Sequence, residues 1–252
     1  MKKLIMVVIF LCLLGIFTAS LAQAEESLPT LYQIHHEFIS ENGGKSNLDR
    51  LNSIIINGFI EQDDQKIAFR LVRKRPNKMR LLISLDDFNI STIYNGKKGW
   101  RKVSTANQQI ALTEIEGSEL SILATDSNFD SPFYSAFKNR KYITVVGFDQ
   151  VNGEDAVRLD FDPAGNFGFK SLWLSLDHFQ EIKMQRALPS KSDGGEPTLE
   201  EIIYEDFRLI DGVYWAKVQR YFENGEPVKV VTISDVRSNE GIYDSYFKVV
   251  KD

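Results

Sequence analysis

Five dipeptides that join Asn or Asp to Gly divide this sequence into short stretches that are apolar or that alternate between apolar and polar residues. Asn-Gly and Asp-Gly supply the positive φ angles of two-residue hairpin turns. Their recurrence predicts successive hairpins, and therefore an antiparallel sheet in which chain neighbours pair with each other. The dipeptides are Asn57-Gly58, which also fits the interior of a strand, and Asn95-Gly96, Asn152-Gly153, Asp211-Gly212 and Asn224-Gly225.

The stretches between these turns alternate with the two-residue period of a β-strand. Residues 78–86 show the pattern, since Met79, Leu81, Ile83 and Leu85 fall on one face and mainly polar residues fall on the other. Such strands predict a sheet with one covered and one solvated face. Strands are predicted near residues 53–62, 65–75, 78–86, 88–95, 98–104, 140–149, 154–162, 167–176, 180–189, 198–209, 213–223 and 227–237.

Helical spacing appears at a few places only. A helix over residues 28–41 can end at Gly43-Gly44, because glycine accepts the left-handed conformation that closes a helix. Ser131-Pro132 is typical of a helix start, with a capping side chain followed by proline. Five strands are thus predicted before a helical insertion near residues 106–138, and about seven after it. The other predicted helical segments are a short turn over 46–51, residues 112–125 and residues 243–250.

The amino terminus has the pattern of an export signal. Two lysines precede an apolar run over residues 4–17, and an Ala-Gln-Ala sequence ends at Ala24. This pattern predicts that residues 1–24 are a cleaved signal peptide, and that residues 25–252 form a single β domain in the periplasm. The only cysteine, Cys12, lies in the apolar run, so the exported domain would use no disulfide.

Charge and motifs argue against several classes of function. Removing the two lysines of the predicted signal leaves 28 Lys and Arg against 35 Asp and Glu, a net charge of −7, which argues against a nucleic-acid partner. His35 and His36 are adjacent on a predicted helix, so their side chains diverge, and His178 has no ligand at metal-binding spacing. Neither a nucleophile elbow nor a phosphate-binding glycine loop occurs. We therefore predict no enzyme, no catalytic residue, no metal and no cofactor.

Aromatic residues make up 12% of the chain, and the predicted insertion carries four of them. One interpretation is an ordinary core. The other is a lid that covers an open sheet, because a cavity for an apolar ligand needs a concave and mainly apolar lining. The four residues are Phe129, Phe133, Tyr134 and Phe137.

Five cations lie within the eight residues from Arg73 to Arg80. Pro76 has no N–H to donate to a sheet ladder, so it marks the break between two strands. The cations fit a solvated charge patch at a strand edge. They also fit the rim of a cavity mouth that contacts a phosphate headgroup or an acidic partner.

Three motifs resemble those of the LolA/LolB superfamily of outer-membrane lipoprotein carriers. They are the basic-proline junction Arg73–Arg80, the hairpin Ile93–Trp100 with its tyrosine, small turn and aromatic, and Gly43-Gly44 before the first strand. The resemblance implies a mainly β fold, in which a strongly curved, unclosed antiparallel sheet of about 11–12 strands forms a half-barrel with helices covering its concave side. It also implies that acyl chains are shielded, and that Arg75 takes part in handing a lipoprotein on.

The function expected from these observations is that of a periplasmic carrier that shields acyl chains during transfer toward the outer membrane. Its expected partners are a lipid or acylated protein, an inner-membrane donor and an outer-membrane acceptor, and it is expected to be a monomer. The alternative is a sensor or regulatory module that recognises a lipoprotein or the ectodomain of a membrane protein. The predicted cavity lining is Met79, Leu81, Ile83, Leu85, Trp100, Phe133 and Phe137, with Arg75 as the headgroup or partner contact.

Overall fold

One antiparallel sheet of thirteen strands dominates the computed structural model, which describes residues 27–190 and 195–249. The predicted signal peptide lies outside these residues. Within them, no helix is both long and apolar enough to cross a membrane. The strands are β1 (Ser53–Gln62), β2 (Gln65–Lys74), β3 (Lys78–Ser84), β4 (Asn89–Tyr94), β5 (Gly99–Ser104), β6 (Gln109–Ile115), β7 (Ile143–Val151), β8 (Glu154–Phe161), β9 (Ser171–Ser175), β10 (Glu181–Leu188), β11 (Thr198–Ile210), β12 (Val213–Glu223) and β13 (Glu226–Ser238).

In the part of the chain that the structure describes, four α-helices accompany the sheet. Two precede β1, and two lie between β6 and β7. They are α1 (Leu31–Glu41), α2 (Gly44–Arg50), α3 (Gly117–Asp126) and α4 (Pro132–Ala136), and short 3-10 helices span Phe137–Tyr142, Pro163–Gly165 and Asp244–Phe247.

The strand order is β6-β5-β4-β3-β2-β1-β13-β12-β11-β10-β9-β8-β7, so two meanders meet where β1 pairs with β13. The edge strands β6 and β7 do not pair, and the sheet is not closed. The helical insertion between them contacts both halves, since Leu123 of α3 packs near Met79 and Phe133 of α4 packs near Leu172. A short insertion reaches both halves only because the sheet curves around it. The predicted fold class, a curved and unclosed antiparallel sheet with helices on its concave side, is confirmed.

The Asn-Gly and Asp-Gly dipeptides lie in turns, except for one that lies where two strands approach each other closely. Three of them, including Asp211-Gly212, have positive φ at both residues, as a two-residue hairpin turn requires. Asn57-Gly58 instead lies inside β1, at an irregularity in its pairing with β13. A Cβ at Gly58 would lie 2.2 Å from the carbonyl oxygen of Thr232. Glycine is therefore needed there for the close contact between the two halves of the sheet.

Two helical predictions were wrong. The region predicted as helix over 112–125 begins as strand β6, and the helix starts only at Gly117. Apolar residues at 112 and 115 had mimicked helical spacing, because β6 is an edge strand and Ile115 is its only buried residue. Near the carboxyl terminus only Asp244–Phe247 is helical, as a single 3-10 turn, and Val250 lies outside the described residues.

The two faces of the sheet are covered differently. The inner face, which carries Met79 and Leu172, packs against the helices. On the outer face, Phe247 of the carboxyl-terminal turn is fully buried against Ile55 and Val72. Part of the outer face therefore has a cover of its own, and the inner face is where helices and sheet enclose a space.

Candidate functional site

A cavity of about 490 Å³ lies between the helices and the centre of the inner face. Strands β1–β3 and β10–β13 form one wall, and α2 and the segment joining α3 to α4 form the other. Its volume is in the range of about 300–1,000 Å³ that is common for small-molecule sites. Much of the sheet-side wall is apolar, and Ile56, Phe69, Leu71, Leu81, Val231 and Ile233 contribute to it.

The predicted lining residues fall into three groups. Met79 and Leu81 lie in the cavity wall. Ile83 packs beside it, against the cluster of buried side chains around Phe69, and is not in the wall. Leu85 lies in the β3–β4 turn, where its N–H donates to the carbonyl of Phe88.

Phe133 and Phe137 are not in the cavity wall either. Phe133 is fully buried in the core formed by α1, α4 and strands β8–β11, and Phe137 stacks on the ring of His35 with centroids 3.5 Å apart. The rings of Phe38 and Phe133 pack edge to face, with their centroids 5.2 Å apart. These aromatic rings hold α4 against α1 beside the cavity. Of the four insertion aromatics, Phe129 and Tyr134 are the ones that line it.

Trp100 lies on the outer face, which corrects its predicted role. It pairs across the strands with Ile93, and Ile93 pairs with Arg80. Directly opposed residues of neighbouring strands share a face, and the next residue along each strand points to the other. Because Met79 is on the inner face, Arg80 and therefore Trp100 are on the outer one.

Arg75 fastens the lid segment to the sheet. Its Nη2 atom is 2.5 Å from Oδ1 of Asp130, between α3 and α4, and its guanidinium lies 4.6 Å from the centre of the Phe129 ring. Its Nε atom donates to the carbonyl of Leu51 at 2.5 Å, and Nη2 donates to that of Leu48 at 3.1 Å. The predicted headgroup contact is thus already occupied by the chain itself, as a clasp between β2, α2 and the insertion.

The other cations of the 73–80 segment point in two directions. Lys74 and Lys78 bind the carboxylate of Asp244 at 2.8 and 2.6 Å, and Arg80 lies over the ring of Tyr246. Hydrogen bonds from the two lysines lower the pKa of Asp244 to about 2. These three cations hold the carboxyl-terminal turn on the outer face. Of the five cations in this segment, Arg73 is the one that faces into the cavity as a wall residue.

A buried ionic cluster borders the cavity, and the sequence interpretation missed it. Arg186 of β10 donates from Nε to Glu200 at 2.5 Å and from Nη1 to Asp126, at the end of α3, also at 2.5 Å. Burial acts to lower the pKa of Arg186, but the two carboxylates outweigh it and raise that pKa. The signal was present, because Arg186 pairs across the strands with Glu200 and both share a face with Met184.

Two further polar contacts position α4. The carboxylate of Glu181 accepts the backbone N–H of Phe133 at 2.6 Å, and burial raises the pKa of Glu181 to about 7. The hydroxyl of Tyr134 donates to Asp49 of α2 at 2.5 Å. Burial and this carboxylate raise the pKa of Tyr134 to about 12, so the hydroxyl is a neutral donor at pH 7. Among the residues described, no group of three or more His, Cys, Asp or Glu side chains is placed to hold a metal ion.

Two solved structures share this architecture. A DUF1329 family protein from Desulfovibrio piger aligns with 88% of this chain and 98% of its own length, with a TM-score of 0.56 and 13% identity. A LolA superfamily protein from Nitrosomonas europaea aligns with 88% of this chain and 99% of its own, with a TM-score of 0.54 and 13% identity. This chain has a LolA-like fold. No protein-family model and no curated protein matches the sequence, so the LolA-like assignment is one of fold.

Proposed function

We propose that this LolA-like protein is a non-enzymatic carrier, which binds a lipid or an acylated protein in the cavity under α3 and α4 and moves it through the periplasm. The cavity is the observation that supports the proposal. Cores of globular proteins pack as tightly as organic crystals and leave few voids larger than a water molecule. A space of about 490 Å³ bordered by Ile56, Phe69 and Leu71 therefore fits an apolar ligand better than a closed core.

The need for transfer partners follows from the free energy of moving an acyl chain between water, membrane and cavity. Each CH₂ group removed from water gains about 0.8 kcal/mol, so a free acyl chain in water is strongly disfavoured. Exchange between a membrane and an apolar cavity nearly cancels this term, so a carrier of this kind is loaded by one membrane partner and unloaded by another. An inner-membrane donor and an outer-membrane acceptor would play these roles, and the exported β domain, residues 25–252, would act as a monomer.

A lining variant tests the proposal against a matched control. Leu81 and Leu82 are neighbours on β3, and their side chains lie on the inner and outer faces respectively. Leu81→Glu places a carboxylate in the cavity wall, whereas Leu82→Glu makes the same change on the other side of the sheet. We expect the purified protein and Leu82→Glu to bind a fluorescent acyl probe, and Leu81→Glu to lose at least about tenfold in affinity.

Lipid analysis supplies the independent result. Protein purified from an envelope fraction is extracted with organic solvent, and the extract is examined by mass spectrometry. A carrier yields lipid in a fixed ratio to protein. Absence of lipid from the extract, together with failure of the delipidated protein to bind the acyl probe, would contradict the proposal.

A further inference from the structure

We propose that the cavity is built for a single-chain amphiphile with an acidic headgroup, a carboxylate or a phosphate, and that Arg73 binds this headgroup inside the protein. The inference rests on the proposed function and specifies its ligand. It is carried by the position of Arg73 in the cavity wall and by the absence, among residues 27–190 and 195–249, of a partner for its guanidinium.

The direction of Arg73 follows from the register of β2. It pairs with Met79 and with Ile54, both of which lie on the inner face. It shares that face with Phe69 and Leu71, two and four residues earlier on the same strand. Arg73 is therefore the cation that ends an otherwise apolar row of the cavity wall.

Arg73 lacks a partner within the described part of the chain. Its Nε atom is buried and makes no hydrogen bond, and no carboxylate there lies within 4.0 Å of the guanidinium. Asp126 is the acidic group that acts on it through space, but Asp126 is bound by Arg186. A buried donor without a partner costs about 1–3 kcal/mol, and more when it is charged. An acidic ligand group would remove that cost.

The other arginines near the cavity are already satisfied. Arg186 has two carboxylates, and Arg75 has Asp130 and two carbonyl oxygens. Arg73 is thus the arginine of the cavity wall that is left to bind a ligand. Its planar fork of donors matches a carboxylate or a phosphate in a bidentate geometry.

Further polar groups line the cavity. Tyr204 and Tyr221 are close enough to Arg73 to act on its charge, and Lys229 lies 4.3 Å from the centre of the Tyr221 ring. Burial raises the pKa of both tyrosines, so their hydroxyls are neutral at pH 7, and that of Tyr221 donates to Oε1 of Gln219 at 3.0 Å. Arg73, at the end of the apolar row of β2, matches an amphiphile whose chain lies along β1–β3.

The shape of the site favours one chain over several. The volume of about 490 Å³ is that of a site for a drug-sized ligand. A bulky triacylated anchor would need the helices to move apart, whereas a single chain fits beneath α3 and α4 as they stand.

The test compares an acid with its neutral ester. The purified and delipidated protein is titrated with cis-parinaric acid and with methyl parinarate, and binding is followed by fluorescence. We expect the acid to bind at least about tenfold more tightly than the ester, a difference of about 1.4 kcal/mol. Competition with oleic acid and with oleoyl lysophosphatidic acid then shows which headgroup is preferred, and displacement by either acid supports the inference.

Two arginine variants locate the contact. Arg73→Met keeps the length of the side chain and removes its charge, and we expect it to bind acid and ester equally. Arg70→Met is the matched control, because Arg70 is on the same strand, also has a buried Nε without a partner, and faces outward opposite Leu82. It should retain the preference for the acid.

The outcomes separate the two proposals. Equal binding of acid and ester by the unmodified protein, or displacement by uncharged monoolein as strong as by oleic acid, would overturn the inference and leave the carrier function standing. Absence of binding by every probe would overturn the inference, and together with a lipid-free extract it would overturn the carrier function as well. Loss of the acid preference in Arg70→Met as well as in Arg73→Met would show that Arg73 is not its cause.

Discussion

Glu181 should make the stability of this protein fall as pH rises through the neutral range. Its side chain is partly buried beneath α4, and desolvation raises the pKa of its carboxyl from the usual 4.5 to about 7, although hydrogen bonds from Phe133 and Ser131 act to lower it. Unfolding exposes the carboxyl to water and restores its ordinary pKa. Between these two values the folded state therefore holds one more proton than the unfolded state, and the free energy of unfolding decreases with pH.

The size of the effect follows from the shift. One pKa unit corresponds to about 1.4 kcal/mol, so Glu181 accounts for about 3 kcal/mol. This contribution is fully present below about pH 4.5 and is lost as pH rises to about 7. Glu181→Gln removes the titrating group and keeps an oxygen for the N–H of Phe133. The variant should match the unmodified protein near pH 4.5 and exceed it by about 3 kcal/mol at about pH 8.

The assay is urea unfolding at a series of pH values for both proteins. Other carboxylates titrate in both, so the difference between the two curves isolates Glu181. Glu205→Gln is the control, because Glu205 pairs with Arg220 and lies on the outer face of β11. Its difference from the unmodified protein should be small. A difference between Glu181→Gln and the unmodified protein that does not change with pH would refute the reasoning.

Three further predictions concern Arg75, which ties the α3–α4 segment to the sheet, Gly58, where β1 meets β13, and Phe247 on the outer face. Arg75→Met should lower the free energy of unfolding by about 2–3 kcal/mol by leaving Asp130 unpaired, and limited proteolysis should cut the α3–α4 segment faster than in the unmodified protein. Gly58→Ala should lower the free energy of unfolding in urea by about 1–3 kcal/mol, because the new Cβ would clash with a backbone oxygen of β13. Gly147→Ala should not lower it, because there is open space around Gly147. Phe247→Ala should cost about 3–5 kcal/mol in the same assay and leave acyl-probe binding unchanged, since Phe247 is fully buried on the outer face.

The sequence predicted the fold well because its signals are local. Hairpin dipeptides such as Asp211-Gly212 and period-two strands such as 78–86 specify pairing between neighbours along the chain. The pairing of β1 with β13 leaves no such signal, because it joins strands that are distant in sequence. Strand β6 was missed for another reason. Ile110 on this edge strand is exposed, so no apolar face marked the segment as a strand.

The site was predicted less completely, because the face of a strand depends on register. Met79 and Leu81 were correctly placed in the cavity wall, since both belong to one unbroken alternating strand. Trp100 was not, because its face depends on two hairpins that separate β5 from β3. The inner-face position of Arg73 could be predicted from strand alternation, because Arg73 shares a face with Leu71. A run of cations is typical of a solvent-exposed segment, however, and nothing in the sequence distinguishes Arg73 from the other cations.

The charged residues of the inner face also explain why the helices do not close on the sheet. A tight contact of α3 and α4 with the central strands would press apolar side chains against Arg73, Lys229 and the pair of Arg186 with Glu200. Burying a charge without a partner costs several kcal/mol, which exceeds the gain from burying one or two additional apolar side chains. The insertion therefore packs on apolar residues at Leu123 and Phe133, and between them it meets the charged region through the ion pair of Asp126 with Arg186. The cavity is therefore a consequence of where the charges of the inner face lie.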